Sequence, residues 1–229
     1  MLVIINDIIT GMQLDLTSII IMIVVLLLSM TLHEAMHAFA GYWLGDDTAH
    51  VEGRLTLNPL AHIDPFLTIG LPLVLIVTSV LSGGLTPIFG GAKPVPFNPT
   101  RVRWGDFGAA LVGVAGPLTN FVIALLAFAV YALSGQPTNM FGEVLLITVM
   151  INLGFFIFNM IPIPPLDGSR VLYAIAPDGA RNFMEMIERN GIIVVFAIVF
   201  LFSSQIGMLI QGIEWSILRV FYMLFGIAS

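Results

Sequence analysis

The chain has 229 residues, of which 58% are hydrophobic and only 10% charged, and its mean hydropathy is +1.02. That composition excludes an ordinary soluble domain and a nucleic-acid-binding surface, and it marks a polytopic membrane protein. A net charge of −6 says little, because so few charges act through their placement, and the lack of cysteine rules out disulfides and thiolate metal ligands.

In chain order, Met1 to Leu16 is a short lead with Asp7 and Asp15 and no Lys or Arg, which suits an interfacial helix. The first span, 18–44, is long enough to cross a bilayer with some excess. It carries the motif itself and is expected to be retained rather than cleaved as a leader. Ile19 to Leu32 is almost wholly aliphatic, yet the run continues into His33-Glu34-Ala35-Met36-His37. On a helix, histidines four apart share one face, one turn above the other, and both can ligate one zinc ion. Glu34 is turned about 100° away from His33, given about 3.6 residues per turn. It is left free to take a proton from a water activated at the metal. Ionisable side chains in so apolar a segment are costly and mark function. A third ligand is still required, from His50, His62 or a carboxylate.

Beyond Gly45-Asp46-Asp47, residues 50–58 alternate apolar and polar side chains, which predicts a strand ended by Asn58-Pro59. The apolar stretch 66–81 is short and contains Pro72. Residues 92–99, with Pro94, Pro96 and Pro99, predict an extended edge strand or polyproline-like backbone. Arg101, Arg103 and Trp104 form an interface anchor ahead of a second full span, 107–133. Its Gly113-Val114-Ala115-Gly116 run allows close helix contact. After a short polar turn, a third span covers 141–160 with Glu143, Asn152 and Asn159.

Pro162, Pro164 and Pro165 then break the helix. Freed backbone at membrane depth is tolerated only where protein or a water cavity receives it. Asp167 follows and is the natural third ligand, completing a His2Asp set with one position open, as in a catalytic zinc site. A plainer role as N-cap of a helix over 168–175 is compatible with that one. The chain is amphipathic over 176–190 and ends in a helical hairpin at about 191–228. Residues 1–229 read as one membrane-embedded domain with its core at 18–175.

Taken together, HEAMH at 33–37, AGPLTN at 115–120 and NMIPIPPLDG at 159–168 resemble the site-2 protease family of zinc intramembrane metalloproteases. GRLTLNPLAHIDP (53–65) and GGAKPVPFNP (90–99) make it most similar to the short prokaryotic branch without PDZ or CBS domains. The resemblance implies one zinc held by His33, His37 and Asp167, with Glu34 as catalytic base. It further implies that Asn159 helps bind substrate or stabilise the oxyanion, with a less definite role of that kind for Asn120. The expected substrate is a membrane protein with a transmembrane helix, cleaved in or near that helix after it unwinds. An extended substrate could then add to an exposed strand edge. The expected fold is all-α and polytopic. It has about five transmembrane helices, a re-entrant or interfacial segment at 66–81, and short β-strands near the active site. A non-catalytic membrane scaffold of the same fold is the competing reading, and the presence of Glu34 beside all three ligands argues against it.

Topology follows from the metal site. If His33 and Asp167 meet, spans 18–44 and 141–160 run in the same direction and 107–133 runs opposite, so 66–81 cannot be a single crossing. Arg54, Lys93, Arg101, Arg103, Arg170, Arg181 and Arg189 then share one side. The positive-inside rule makes that side cytoplasmic, with the active site towards it and the N-terminus external, and the resemblance to the prokaryotic branch implies a prokaryotic cell membrane.

Overall fold

A computed structural model describes residues 16–70 and 91–227. Within them the chain is helical: α1 (Leu16–Trp43), α2 (Thr48–Val51), α3 (Pro59–His62), a π-helical turn (Pro65–Gly70), α4 (Asp106–Leu133), α5 (Met140–Asn159), α6 (Gly168–Ile175), α7 (Asp178–Glu188), α8 (Gly191–Leu201) and α9 (Ser203–Leu224). Among the described residues α1, α4 and α5 are the helices long and apolar enough to cross a membrane.

That is fewer than the five crossings expected. With eleven residues, α8 rises about 16 Å, roughly half a hydrocarbon core. The 22 residues of α9 are long enough, but Gln205, Gln211, Glu214 and Arg219 dilute their hydropathy. The expected strands are also absent among the described residues. Residues 48–51 wind into α2, and Gly53, at φ +69°, closes that helix. Gly53 N–H donates to His50 O and Arg54 N–H to Ala49 O, the paired bonds of a glycine-terminated helix end. The alternation over 50–58 therefore belongs to a helix end and turns, not to a pleat. Residues 91–98 adopt no regular structure, since Pro94 and Pro96 have no N–H for a ladder.

Helix directions follow from contacts between named residues. Ser18 Oγ donates to Glu143 Oε1 at 2.6 Å, Ile21 and Val25 pack with Ile147 and Ile151, and Asn152 Nδ2 donates to Ser29 Oγ at 2.8 Å. Sequence numbers rise together along the two helices, so α1 and α5 are parallel. His33 meets Asn120 whereas His37 meets Val112, so α4 runs opposite to α1. The turn between α4 and α5 is built for that reversal. Gly135, at φ +76°, ends α4, and the Asn139 side chain accepts from Phe141 and Gly142 N–H to start α5.

Lipid offers no hydrophobic force to drive helices together, so close packing needs small residues and polar links. On α4 the buried face is Gly108, Ala109, Val112, Gly113, Gly116, Pro117, Asn120 and Ala124. Its opposite face exposes Leu111, Leu118, Val122, Leu126 and Val130. Further along, Ala124, Ala127 and Phe128 of α4 join Val149, Leu153 and Ile157 of α5 and Ile210, Leu218 and Phe221 of α9 in one apolar cluster.

Residues 1–15 and 71–90 lie outside the described residues, and with them most of the stretch 66–81 expected to be re-entrant or interfacial. Its flanks are described. Thr68 Oγ1 donates to Gly91 O at 2.7 Å and Lys93 N–H to His62 O at 2.9 Å, so both ends lie at one level of the bundle.

Candidate metal centre

Three elements build the site. The C-terminal half of α1 presents His33 and His37 on one face, α4 backs them, and the loop after α5 brings in Asp167. That loop leaves the helix because Pro162, Pro164 and Pro165 cannot continue it. Asp167 stands at the N-cap position of α6 but its side chain makes no capping bond. Its Oδ2 instead lies 3.0 Å from His33 Nε2 and 3.3 Å from His37 Nε2, and the two Nε2 atoms are 3.1 Å apart.

The donor set fits a zinc ion. Nitrogen and oxygen ligands at about 2.0–2.1 Å in a tetrahedron stand roughly 3.3 Å apart, close to these three separations. Each imidazole is also held in the required tautomer. His33 Nδ1 pairs with Asn120 Oδ1 at 2.5 Å and His37 Nδ1 with Val112 O at 2.7 Å. With Nδ1–H donating to an oxygen, Nε2 keeps its lone pair for a metal. Space for the two rings comes from Gly116. A Cβ there would stand 2.7 Å from His37 Cε1 and 2.8 Å from His33 Nε2, and His37 Nε2 is nearer still.

Behind His33 lies a buried amide network. Asn120 Nδ2 donates to Asn152 Oδ1 at 2.8 Å and lies 3.4 Å from Ser29 O. Asn152 Nδ2 in turn donates to Ser29 Oγ at 2.8 Å and Thr148 O at 2.9 Å. Both amides are fully buried. Asn152 was not among the site residues expected from sequence. The signal available was an amide two helical turns before Asn159 on the same face of α5.

The remaining expected residues sit as follows. Glu34, next to His33, accepts from Val95 N–H through Oε2 at 3.1 Å. Asn159 donates to Phe155 O, one turn back in its own helix, at 3.0 Å. His50 is exposed and its ring lies 5.4 Å from that of Tyr42. His62 is fully buried, with Nε2 at 2.9 Å from Thr56 O. Neither of these two histidines joins the three-donor group, which consists of His33, His37 and Asp167.

Comparison with known proteins bears on the same chemistry. The model of Peptidase family M50 matches residues 136–203. YwhC of Bacillus subtilis, named as a candidate zinc metalloprotease, is 34% identical over 216 residues, covering 89% of this chain and 92% of that protein. Rip2 of Mycolicibacterium smegmatis carries the same description and is 33% identical over 143 residues, covering 62% of this chain and 52% of that protein. Rip2 of Mycobacterium tuberculosis is 34% identical over 149 residues, covering 64% and 53%. No solved structure matches. Two histidines and an aspartate converge beside apolar helices in a chain that aligns with YwhC along nearly its whole length. The chain therefore belongs to Peptidase family M50, the site-2 proteases, and is a membrane-embedded metalloprotease whose cofactor is zinc.

Proposed function

We propose that this protease cleaves peptide bonds in or near transmembrane segments of other membrane proteins. The observation that carries the reading is the position of the three donors. His33 and His37 lie within α1, a helix long and apolar enough to cross a membrane, and are backed by α4, another of that kind. A substrate reaching them does so at or close to membrane depth.

In this reading His33, His37 and Asp167 hold the metal and Glu34 is the general base. Bound there, zinc supplies Lewis-acid polarisation of the scissile carbonyl and brings the pKa of a water to about 7. Glu34 accepts the proton of the attacking water and passes it to the leaving amine. Asn120 and the Val112 carbonyl keep the imidazoles in register while charge builds up. Asn159 donates to the developing oxyanion, for which its amide turns away from Phe155 O. The substrate helix must unwind first, since its amides are sequestered in intrahelical bonds. Within the bundle α9 acts as a further membrane helix, packed on α4 and α5 through Ile210, Leu218 and Phe221. The basic residues at 54, 93, 101, 103, 170, 181 and 189 support a reading in which the active-site end of the bundle faces the cytoplasm.

The test is substrate trapping in native membranes with Glu34→Gln. The variant should keep one zinc per chain, lose cleavage, and co-purify with single-pass membrane proteins that wild type converts to shorter products. Cleavage at the wild-type rate by E34Q overturns the base assignment. Capture of soluble proteins only, likewise cut by wild type, overturns the membrane substrate class.

A further inference from the structure

The segment 91–98 runs alongside α1 and is fastened at both ends. On entry, Gly91 O accepts from Thr68 Oγ1 at 2.7 Å, Lys93 N–H donates to His62 O at 2.9 Å, and buried Arg54 donates through Nη2 to Lys93 O at 2.6 Å. On exit, Asn98 N–H donates to Oδ2 of buried Asp46 at 2.7 Å, and the Phe97 ring lies beside Gly41. Asp46 is itself fixed, since its other oxygen accepts from Thr48 N–H at 3.1 Å and from the Thr48 hydroxyl.

Between these anchors the sequence is Pro94-Val95-Pro96. Proline has no N–H, so Val95 carries the one main-chain donor of the three, and the flanking rings stiffen its direction by fixing φ. That donor points at Glu34 Oε2, 3.1 Å away. At 3.1 Å this is a hydrogen bond of ordinary length. It ties down Oε2 and leaves Oε1 as the oxygen able to face a water.

We infer that the Val95 N–H, aimed by Pro94 and Pro96 and clamped by Arg54 and Asp46, is a positioning group that orients the Glu34 carboxylate for proton transfer. The inference rests on the reading of Glu34 as base. It assigns the proline-flanked segment a task in the reaction that does not depend on pairing with substrate.

Two measurements test it on the full chain in lipid nanodiscs. Pro94-Val95 is the only Pro-Val pair in the sequence, so labelling with 13C-carbonyl proline and 15N-valine gives a single correlated amide signal, that of Val95. Its proton should resonate downfield, resist solvent exchange with or without zinc, and move upfield in E34Q, where the acceptor loses its charge. A freely exchanging signal unmoved by E34Q overturns the inference whatever the activity.

The second measurement follows cleavage of quenched-fluorescent casein, an unfolded chain that needs no helix unwinding. Val95→Pro, which removes the N–H, should lower kcat about 10- to 100-fold at unchanged KM and zinc content, since a misplacement of about 1 Å at a reacting group costs up to about 100-fold. Val95→Ala, the conservative variant that restores the N–H, should rescue kcat. Equal loss in both variants, zinc loss in V95P, or wild-type kcat in V95P overturns the inference. If V95P does not fold, the ester variant made with the α-hydroxy analogue of valine at 95 replaces it, and wild-type kcat there has the same force. An active E34Q instead overturns the reading of Glu34 as base, while the Val95 signal still decides the hydrogen bond.

Discussion

Gly116 offers the sharpest test of how the metal centre is built. Replacing it with alanine places a methyl group 2.8 Å from His33 Nε2 and 2.7 Å from His37 Cε1, where ordinary contact begins at 3.4 Å. The His33 ring must withdraw by about 0.6 Å and the His37 ring, whose Nε2 is nearer still, by more than about 0.7 Å, and both are held at Nδ1. His33 is held at Nδ1 by Asn120 and His37 by Val112 O. Metal–ligand distances tolerate only about ±0.2 Å, so a shift three times larger removes both imidazoles from the coordination sphere. We expect zinc affinity to fall at least about 100-fold, about 2.7 kcal/mol. Alanine is also the better helix former by roughly 0.5–1 kcal/mol, so the metal-free variant should keep its helicity. The assay pairs zinc titration against a competing chelator with circular dichroism in the same detergent. One zinc bound at wild-type affinity by G116A would refute the argument, because the imidazoles would then not depend on the missing Cβ.

Other expectations are simpler. Asp167→Ala should lose zinc, and full occupancy by elemental analysis would require another third ligand. Asn120→Ala removes the acceptor that orients His33 and should weaken zinc binding about 10- to 100-fold; unchanged affinity would show that the ring keeps its orientation without that acceptor. Asn159→Ala should keep zinc and cut turnover by roughly 10²–10³ if its amide serves the oxyanion. If the amide only satisfies Phe155 O, the loss appears as a lower melting temperature with normal turnover per folded molecule. Single cysteines at 47 and 98, in a chain that has none of its own, should both label from the cytoplasmic side of sealed vesicles. Labelling from opposite sides would contradict the topology, in which Asn98 N–H bonds Asp46 and Arg101 pairs with Asp47.

Much of the metal centre was legible because its signals are periodic or chemical. Two histidines one turn apart, a glutamate beside them and an aspartate after a proline break are side-chain facts. The partners of those residues are not. Val112 contributes a carbonyl and Val95 an N–H, groups that every ordinary residue carries, so only three-dimensional placement singles them out. Asn152 went unread because an isolated amide in an apolar helix does not reveal which neighbour it meets. The strand expected over 50–58 failed because alternation persists by chance over a short helix and its exit turn, and Gly53 at positive φ was decisive only once seen. For α8 and α9 the expectation rested on apolar content, whereas α8 is short and α9 carries Gln205, Gln211, Glu214 and Arg219, so neither stands out by length and hydropathy together.

The Ser29–Asn120–Asn152 network also bears on how the molecule comes together. Its polar groups are satisfied only when α1, α4 and α5 are all present at the right heights. Asn120 on α4 bonds Asn152 on α5, and Asn152 bonds Ser29 on α1, so the network ties each of the three helices to the others. Each interhelical bond contributes only about 0.6 kcal/mol on average, so the network does little for overall stability. Its larger effect is on register. The helix carrying the two histidines meets α4 through Asn120 and Val112 and meets α5 through Asn152, so each helix fixes the depth and rotation of the others. The imidazoles meet Asp167 only while these helices stand at matching heights, and a slip of one helix by a single turn of about 5.4 Å would carry the donors out of reach of one another.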